Sequence, residues 1–448
     1  MVAYIIIIAI ATSLVYVSIK VEEKTDNKLL IFIARGIAIL FPAIIAGIRY
    51  NVGTDYAGVY KPLFSEQLSG DKAYRLRSIE IGYMFLNKLV VWLGGGFNLV
   101  MFLSSLITII AIYIGLLHYK NKINVTLAFL LFMLLFFQKS LNLVRQMMAV
   151  GIVFCGFIFL DFKEDDKKLE DEKYKKLFEE KSKKKNQDCL KYKPRYKYSK
   201  EYKRYITIQY IKYIACVLVA GLFQRTSLVM LIIPFVREIY ANPRFKVLSI
   251  ASYVILLAII LNFELIGNIM AKNESLYYYS LYFKNKASSG VSIAYFIRVI
   301  PVIIPFFFVR KKITEDRQMN LLYSMTVIGC ILLLLGYLTS TYGERLSYYF
   351  SIFQIVMFPY YIRCLKDNKF LYIASTILII LFNIAMWFYD YIYMKRDETV
   401  PYRTIFSVEA KQNEKNNNLE ENITMQLEKN DLNENKTEEM LNSIDYII

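Results

Sequence analysis

Arginines at the ends of long apolar segments are the residues of this sequence that could do chemistry. Arg49, Arg145, Arg225 and Arg345 each stand where an apolar segment begins or ends, and Arg298 lies inside one. A charge near the centre of a bilayer costs about 2.5–3.5 kcal/mol on insertion scales, so such arginines need an explanation. A guanidinium can bind phosphate oxygens through two parallel hydrogen bonds, which suits an anionic ligand such as a lipid diphosphate. The alternative for each arginine is that it reaches out to the lipid headgroups.

Arg49 also begins a polar and aromatic stretch, 49–56, that reads Arg-Tyr-Asn-Val-Gly-Thr-Asp-Tyr. Gly53 allows a tight bend with positive φ, and Asp55 would then place a carboxylate close to Arg49. A turn in which Asp55 only caps a loop helix explains the same residues. The chemistry of this stretch alone leaves the catalytic and the structural interpretation equally open.

A second polar pattern accompanies Arg145. Gln138, Asn142, Arg145 and Ala149 recur at helical spacing in an otherwise apolar region. Residues at this spacing share one face of a helix. A polar and small face on an apolar helix predicts contact with a cavity and not with lipid.

Several chemistries are excluded by the motifs that the sequence lacks. It contains no Asp-x-Asp pair, no GxxxxGK[ST] phosphate loop and no GxSxG elbow, and its single histidine is His118. The five cysteines are scattered without metal-ligand spacing. We therefore predict a site that uses no metal, no nucleotide and no cofactor.

The composition is that of a membrane protein. Of 448 residues, 56% are apolar, and mean hydropathy is +0.35. The apolar residues form long, continuous runs of the length that crosses a hydrocarbon core. These runs predict an all-α polytopic membrane protein and exclude a soluble multi-domain enzyme, a disulfide scaffold, a disordered chain and a β-barrel. The net charge of +17 lies largely beside membrane segments, so nucleic acid is not a predicted partner.

We predict about twelve membrane spans. They cover residues 2–19, 29–48, 97–117, 123–137, 141–162, 206–223, 226–240, 247–266, 291–309, 319–340, 346–365 and 371–394. The apolar stretch 81–93 is too short to cross comfortably, which favours a re-entrant or interfacial helix.

The loops set the predicted orientation. The segment 163–205 carries 17 Lys or Arg against 10 Asp or Glu and is assigned to the cytoplasm by the positive-inside tendency. Two shorter basic loops, at 310–312 and 363–369, fall on the same side. The loop 49–80 is then outside. The membrane domain ends at 403, and the acidic remainder, 404–448, is predicted to be disordered because it has too little apolar surface to repay ordering.

At this point the motifs resemble those of the EpsG family of Wzy-like polysaccharide polymerases. The stretch Gly47–Tyr56 with Tyr60 and Phe64 resembles the first signature of that family, and Asn142–Gln146 with Ala149 resembles the second. Further similarity is carried by Arg345, Tyr348, Tyr349 and the tripeptide Val400-Pro401-Tyr402. The resemblance covers residues 29–403. It departs at Gln224, where a histidine is expected.

The resemblance implies a glycosyltransferase that polymerises oligosaccharide repeat units carried on undecaprenyl diphosphate at the outer leaflet. Its product would be a capsular polysaccharide, an exopolysaccharide or an O-antigen-type glycan. Asp55 is the first candidate and Glu344 the second for the base that takes a proton from the attacking sugar hydroxyl. The residues expected to bind substrate are Arg49, Tyr50, Tyr56, Asn142, Arg145, Gln146, Arg225, Arg298 and Arg345.

Two alternatives use the same basic site. A flippase or transporter of lipid-linked sugar must also hold the diphosphate, and a glycan ligase would pass the same chain to another acceptor. The predicted location is the bacterial cytoplasmic membrane, with several crossings. The expected partners are the lipid-linked oligosaccharide and membrane lipids, with a flippase and a chain-length regulator as further candidates.

Overall fold

The chain folds into packed helices. A computed structural model describes residues 1–69, 79–162, 200–272, 280, 293–338, 341–407, 411–413 and 415–419. Over these ranges the only strand-like pairing is an isolated bridge between Arg49 and Thr404. Eight of the described helices are long and apolar enough to cross a membrane. The all-α, polytopic prediction is confirmed, whereas the count of about twelve spans is not.

Sixteen α-helices are described and are numbered here in chain order. They are α1 Val2–Lys24, α2 Lys28–Gly47, α3 Lys61–Ser69, α4 Ile81–Trp92, α5 Phe97–His118, α6 Val125–Asn142 (with an internal π-helical turn), α7 Val144–Gly156, α8 Lys200–Gly221, α9 Ile233–Ala241, α10 Lys246–Leu261, α11 Phe263–Ala271, α12 Ile293–Glu315, α13 Arg317–Leu338, α14 Thr341–Ser351, α15 Gln354–Cys364 and α16 Lys369–Phe388. A π-helical turn, Tyr56–Tyr60, precedes α3, and another, Tyr389–Tyr393, follows α16.

Four of the predicted spans are interrupted. The span 247–266 divides at Asn262 between α10 and α11. The span 141–162 starts inside α6, which bends at Leu143 (φ −90°, ψ 55°) directly into α7. The span 226–240 begins as a 3₁₀ helix, Arg225–Ile232, before α9. The span 346–365 is divided between α14 and α15. Interruptions at membrane depth require other groups to pair the freed backbone atoms. Leu143, Ile352 and Phe353 are buried within the protein, whereas the 3₁₀ segment exposes Leu228, Val229 and Ile232.

The fraction of buried residues distinguishes the central helices from the outer ones. Of the α6 segment 83% is buried, compared with 11% of the segment Pro243–Leu261 that contains α10. The helix α5 packs against α2 and α7, and α13 packs against α12 and α14. Large apolar side chains of the outer helices, such as Phe307 and Phe308 of α12, are more than 70% exposed. In a membrane protein these exposed apolar side chains face lipid.

Contacts between helix ends define two ends of the bundle. One end, called the motif end here, holds the polar and aromatic stretch 49–56. There Asn98 at the start of α5 donates to the carbonyl of Gly47 at the end of α2, at 2.6 Å. At the opposite end, Lys120 lies 2.7 Å from Glu22 of α1, and Lys122 lies 2.8 Å from Asp316. The basic segment 310–312 also lies there, because it is in the last turns of α12, just before Asp316. Lys312 donates to the Cys364 carbonyl at 2.6 Å, which places the basic segment 363–369 at the same end.

The short helix α4 stays at the motif end. The amide of Gly82 donates to the carbonyl of Leu222, just after α8, at 2.8 Å. The segment that follows α4 leads to Asn98, which also lies at the motif end. Both ends of α4 are therefore on one side of the bundle, as the prediction of a re-entrant or interfacial helix requires.

Two predictions fall mostly outside the described residues. Of the basic loop, only the part from residue 200 onward is described, as the start of α8. Of the acidic tail, residues 404–407, 411–413 and 415–419 are described. The cytoplasmic loop and the disordered tail therefore stay predictions.

Candidate functional site

Arg49 is the buried first residue of the stretch 49–56, called the motif stretch below. Its side chain is 1% exposed. The guanidinium donates to the Ala46 carbonyl at 2.6 Å and to the Leu141 carbonyl at 3.0 Å. Backbone pairing with Thr404 fixes the same residue from the other side. Arg49 thus ties the end of α2 to the end of α6, and in this conformation its guanidinium lies beneath the protein surface.

Gly53 brings the motif stretch onto Asn142. Its φ is +97°, a conformation that side-chain-bearing residues rarely adopt. A Cβ at this position would come within 3.2 Å of Asn142 Oδ1. The same Oδ1 accepts hydrogen bonds from the Thr54 hydroxyl at 3.1 Å and from the Asp55 amide at 2.9 Å. The backbone around Asp55 is therefore held by the last residue of α6.

Asn142 also reaches a third segment. Its Nδ2 donates to Asp397 Oδ1 at 2.9 Å. Asp397 belongs to the 3₁₀ turn Arg396–Glu398, so one amide side chain joins the motif stretch, α6 and this turn. Both functional groups of Asn142 are used in these contacts within the protein.

Two arginines of other helices act electrostatically on the carboxylate of Asp55. Burial raises the pKa of Asp55 above its ordinary value, and the positive charges of Arg345 and Arg145 act in the opposite direction. Asp55 keeps partial solvent exposure. The structure therefore brings together Asp55, Arg145 and Arg345, which are far apart in sequence.

The bend at Leu143 explains this convergence. Asn142 is the last residue of α6, whereas Arg145 and Gln146 lie in the first turn of α7. Gln146 donates to the backbone carbonyl of Arg345, which links α7 to α14. The prediction of one continuous polar stripe through Gln138 and Ala149 was wrong, because the helix changes direction between its members.

Glu80, which the sequence analysis missed, holds two of the predicted arginines. Its carboxylate forms an ion pair with Arg145 and accepts the Arg225 amide at 3.4 Å. Glu80 is 8% exposed. The guanidinium of Arg225 is exposed and forms no ion pair among the described residues. A lone carboxylate immediately before the apolar stretch 81–93 was the signal that could have revealed Glu80.

Glu344 and Arg298 belong to a neighbouring buried charge network. Glu344 lies 3.3 Å from Lys139 and 3.1 Å from Arg396. Asp390 pairs with Arg298 and lies 3.6 Å from Arg396. Both carboxylates are less than 10% exposed, so each requires these cations as compensation. The network joins α6, α12, α14 and the segment 389–398 after α16. It abuts a cavity of about 60 Å³ that is lined in part by Lys139, Arg298, Glu344 and Asp390.

Three members of this network were not predicted. Lys139, Asp390 and Arg396 lie in or directly after apolar segments, where an ionisable residue is itself a signal. Asp390 lies inside the predicted span 371–394, and Lys139 follows the predicted span 123–137. Their partners could not be inferred because they come from distant parts of the chain.

The two predicted tyrosines differ in accessibility. Tyr56 is 3% exposed, donates to the Arg49 carbonyl at 3.3 Å and packs edge-on against Phe97. Tyr50 is half-buried, and Lys61 lies 6.0 Å from its ring centroid. Tyr56 is part of the apolar support, whereas Tyr50 keeps a surface that a sugar ring could contact.

Groups that could hold a metal ion are absent from the described residues. His118 lies at the opposite end of the bundle, 2.7 Å from Asp161. The motif end therefore offers arginines, the partly exposed carboxylates of Asp55 and Asp397 and a half-buried tyrosine, a set suited to an anionic ligand that also carries hydroxyl groups.

Fold and site together define a polytopic all-α membrane protein with a basic site at one end of its bundle. A comparison with known families matches the EpsG family over residues 32–169 and 202–404. The chain belongs to the EpsG family, and with it to the membrane proteins of polysaccharide biosynthesis. No curated protein and no solved structure matches it significantly. The match ends at Thr404, the residue that pairs with Arg49.

Proposed function

We propose that this protein polymerises oligosaccharide repeat units carried on undecaprenyl diphosphate, without metal or nucleotide. The observation that carries the proposal is the position of Asp55, a partly exposed carboxylate subject to the charges of Arg145 and Arg345. These three residues come from a loop and two different helices. Membership of the EpsG family supports a role in glycan synthesis.

The proposed reaction transfers a growing glycan from its lipid carrier to a second lipid-linked unit. The bond between the anomeric carbon and the diphosphate oxygen breaks, and the diphosphate leaves with the electron pair. A hydroxyl oxygen of the acceptor sugar forms the new bond to the anomeric carbon. The proton of that hydroxyl passes to the Asp55 carboxylate, which acts as a general base.

The arginines stabilise the charge of the leaving diphosphate. We assign this role to Arg345 and Arg225, because Arg225 is exposed beside the Glu80 contact and Arg345 acts on Asp55. Preorganised cations stabilise developing charge without having to reorganise. Arg145, paired with Glu80, adds to the field at Asp55 and orients the segment around Arg225.

The remaining predicted site residues receive positioning roles in this proposal. Arg49, Asn142 and Gln146 use their polar groups on backbone and side-chain partners of the protein. Glu344 and Arg298 hold the turn after α16 through Lys139, Arg396 and Asp390. Tyr50 is left as the aromatic surface for a sugar face, and Tyr56 supports it from below.

The site is proposed to face the outer leaflet. The opposite end carries the short basic segments at 120–122, 310–312 and 363–369. Positive charge beside short loops favours the cytoplasmic side. The motif end then opens outward.

Reconstitution in vesicles tests this function. Purified protein is supplied with lipid-linked repeat units and no nucleotide, and the products are separated by size. A ladder of products is the expected result. A single transfer product would instead identify a ligase, and movement of substrate between leaflets without new bonds would identify a flippase; either would overturn the proposal.

A further inference from the structure

The opposite end of the bundle contains a groove that the proposed reaction does not use. It has a volume of about 720 Å³, within the usual range of ligand pockets. Its walls come from the end of α1, the turn between α5 and α6, the end of α15 and the start of α16. Its floor is apolar and includes Ile19, Val125 and Ile362.

The groove is lined by more positive than negative side chains. Four cations line it, namely Lys20, Lys120, Arg363 and Lys366, together with two carboxylates, Glu22 and Glu23. Both carboxylates are already paired, because Lys120 and Arg35 bind Glu22 and Lys20 binds Glu23, at 2.6–2.7 Å.

Arg363 and Lys366 supply the surplus positive charge. Both side chains are exposed, and neither forms a salt bridge among the described residues. The nearby carboxylate of Asp367 pairs instead with Lys312 at 2.8 Å. Two cations that form no salt bridge among the described residues therefore lie beside an apolar floor, and Lys366 also interacts electrostatically with Asp367.

The margins of the groove are apolar and aromatic. Tyr16 and Tyr372 line it from α1 and α16, and each is more than a third exposed. Val17 and Ile373 beside them are 51% and 45% exposed. A ligand with an anionic head and hydrocarbon tails would contact both surfaces, with the head in the groove and the tails along these side chains.

We infer that this groove binds the headgroup of an anionic phospholipid. Arg363 and Lys366 contact the phosphate, Lys20 and Lys120 contribute at longer range, and the acyl chains lie against the exposed faces of α1 and α16. Basic pockets between membrane helices on the cytoplasmic side are suited to anionic lipid heads. The site lies at the other end of the bundle from the proposed glycan chemistry, so the two proposals stand or fall separately.

Lipid retention tests the inference. Full-length protein in detergent is titrated with phosphatidylglycerol or with phosphatidylcholine, and bound lipid is counted by native mass spectrometry. The wild type is expected to retain phosphatidylglycerol in preference to phosphatidylcholine. The double variant Arg363→Gln/Lys366→Gln should bind phosphatidylglycerol about 30-fold more weakly, the effect of removing two charges next to an anionic lipid. Equal retention of the two lipids by the wild type would overturn the inference.

The matched control is Arg310→Gln/Lys311→Gln. These two cations are exposed at the same end and do not line the groove, so their loss should leave retention unchanged. Equal losses in both double variants, or none in the groove variant, would contradict a specific site. The charge-preserving variant Arg363→Lys/Lys366→Arg should retain lipid, which distinguishes lost charge from misfolding. Inorganic phosphate serves as a headgroup-free probe, and tight phosphate binding without lipid retention would also overturn the proposal.

Discussion

At the scale of single residues, the position of Asp55 and not its residue type sets the properties of its carboxylate. Partial burial makes its carboxylate harder to ionise, and the guanidiniums of Arg345 and Arg145 counteract that effect. The carboxylate is therefore a stronger base than an exposed aspartate, while nearby positive charge still favours its ionised form. This combination suits a group that must accept a proton beside a diphosphate.

The dependence of kcat/KM on pH should report on the pKa of Asp55. Because the carboxylate is the active form, kcat/KM falls as pH drops through the pKa of Asp55, and this acidic limb lies above the pH expected for an ordinary aspartate. Arg345→Gln removes a charge that lowers this pKa, so the limb should move to higher pH. We expect this shift in rates of glycosidic bond formation measured across pH with reconstituted protein.

Arg225→Gln is the control for that measurement. It removes the same charge from an exposed position. The charges that lower the pKa of Asp55 are those of Arg345 and Arg145, and not that of Arg225. The Arg225→Gln variant should reduce the rate without moving the acidic limb. An unmoved limb in Arg345→Gln, or an equal shift in both variants, would show that the Asp55 carboxylate does not govern the profile.

The sequence predicted several of these residues but not their distinct tasks. Arg49 and Asp55 stand close together in the motif, which suggested direct contact between them. In the structure Arg49 instead donates to backbone carbonyls, and the arginines acting on Asp55 come from α7 and α14. Spacing along a loop cannot reveal which arginines act on Asp55. The bend at Leu143 and the division between α14 and α15 determine which side chains come together.

At the scale of elements, the motif stretch depends on a close approach of backbone to Asn142. Gly53→Ala would add a Cβ within 3.2 Å of Asn142 Oδ1, at a residue with φ +97°. A left-handed conformation costs a non-glycine residue about 1–2 kcal/mol. We expect a lower thermal unfolding temperature and shorter polymers for this variant.

Gly58→Ala is the control in the same stretch. It lies in the π-helical turn, and a Cβ there would meet nothing within 4 Å. Its unfolding temperature and polymer length should match those of the wild type. If both alanine variants behaved alike, the close approach at Gly53 would not be what shapes the site.

The charge network makes a separate prediction about Glu344. Glu344→Gln leaves Lys139 and Arg396 without one of their carboxylates, and breaking a buried pair in this way costs about 3–5 kcal/mol. The expected result is loss of stability together with loss of polymerisation, measured by thermal unfolding and product length.

Removing a cation as well distinguishes positioning from catalysis. Glu344→Gln/Lys139→Met takes away both members of one pair, which relieves much of the cost. Recovery of stability and polymerisation in the double variant supports a positioning role. A double variant that is stable but inactive would instead make Glu344 the catalytic base.

At the scale of the whole molecule, the segment after α16 closes the bundle by returning to the motif stretch. The Tyr50 amide donates to the Arg403 carbonyl at 3.0 Å, and the Ile405 amide donates to the Ile48 carbonyl at 2.9 Å. The Tyr4 hydroxyl donates to the Thr399 carbonyl at 2.7 Å, so α1 contacts the same segment. The ends of the membrane domain therefore meet beside the proposed site.

Two truncations should separate this closing segment from the acidic tail. Ending the chain after Ser407 keeps both backbone hydrogen bonds, and we expect unchanged polymer length. Ending it after Tyr402 removes the Arg403 carbonyl and the Ile405 amide, and we expect lower stability and loss of long polymer. Gel analysis of product length and thermal unfolding measure both effects. Equal behaviour of the two truncations would contradict the role of the closing segment.

The sequence predicted the overall architecture well, because membrane spans depend on local composition. Continuous apolar helices such as α1, α2 and α5 appear within a few residues of their predicted bounds. Prediction was poorer where helices bend or divide, as at Leu143 and between α14 and α15. Leu143, Ile352 and Phe353 at these interruptions are buried, so they pack against other parts of the chain that local composition does not specify.

The most direct test of the account is the rate of the first glycosidic bond formed by Asp55→Asn. The amide keeps the shape of the side chain but cannot accept the hydroxyl proton. With reconstituted protein and saturating lipid-linked repeat units, the account predicts a loss of at least about 100-fold in that rate, while substrate binding is retained. A variant that forms the bond at the wild-type rate would contradict the central claim.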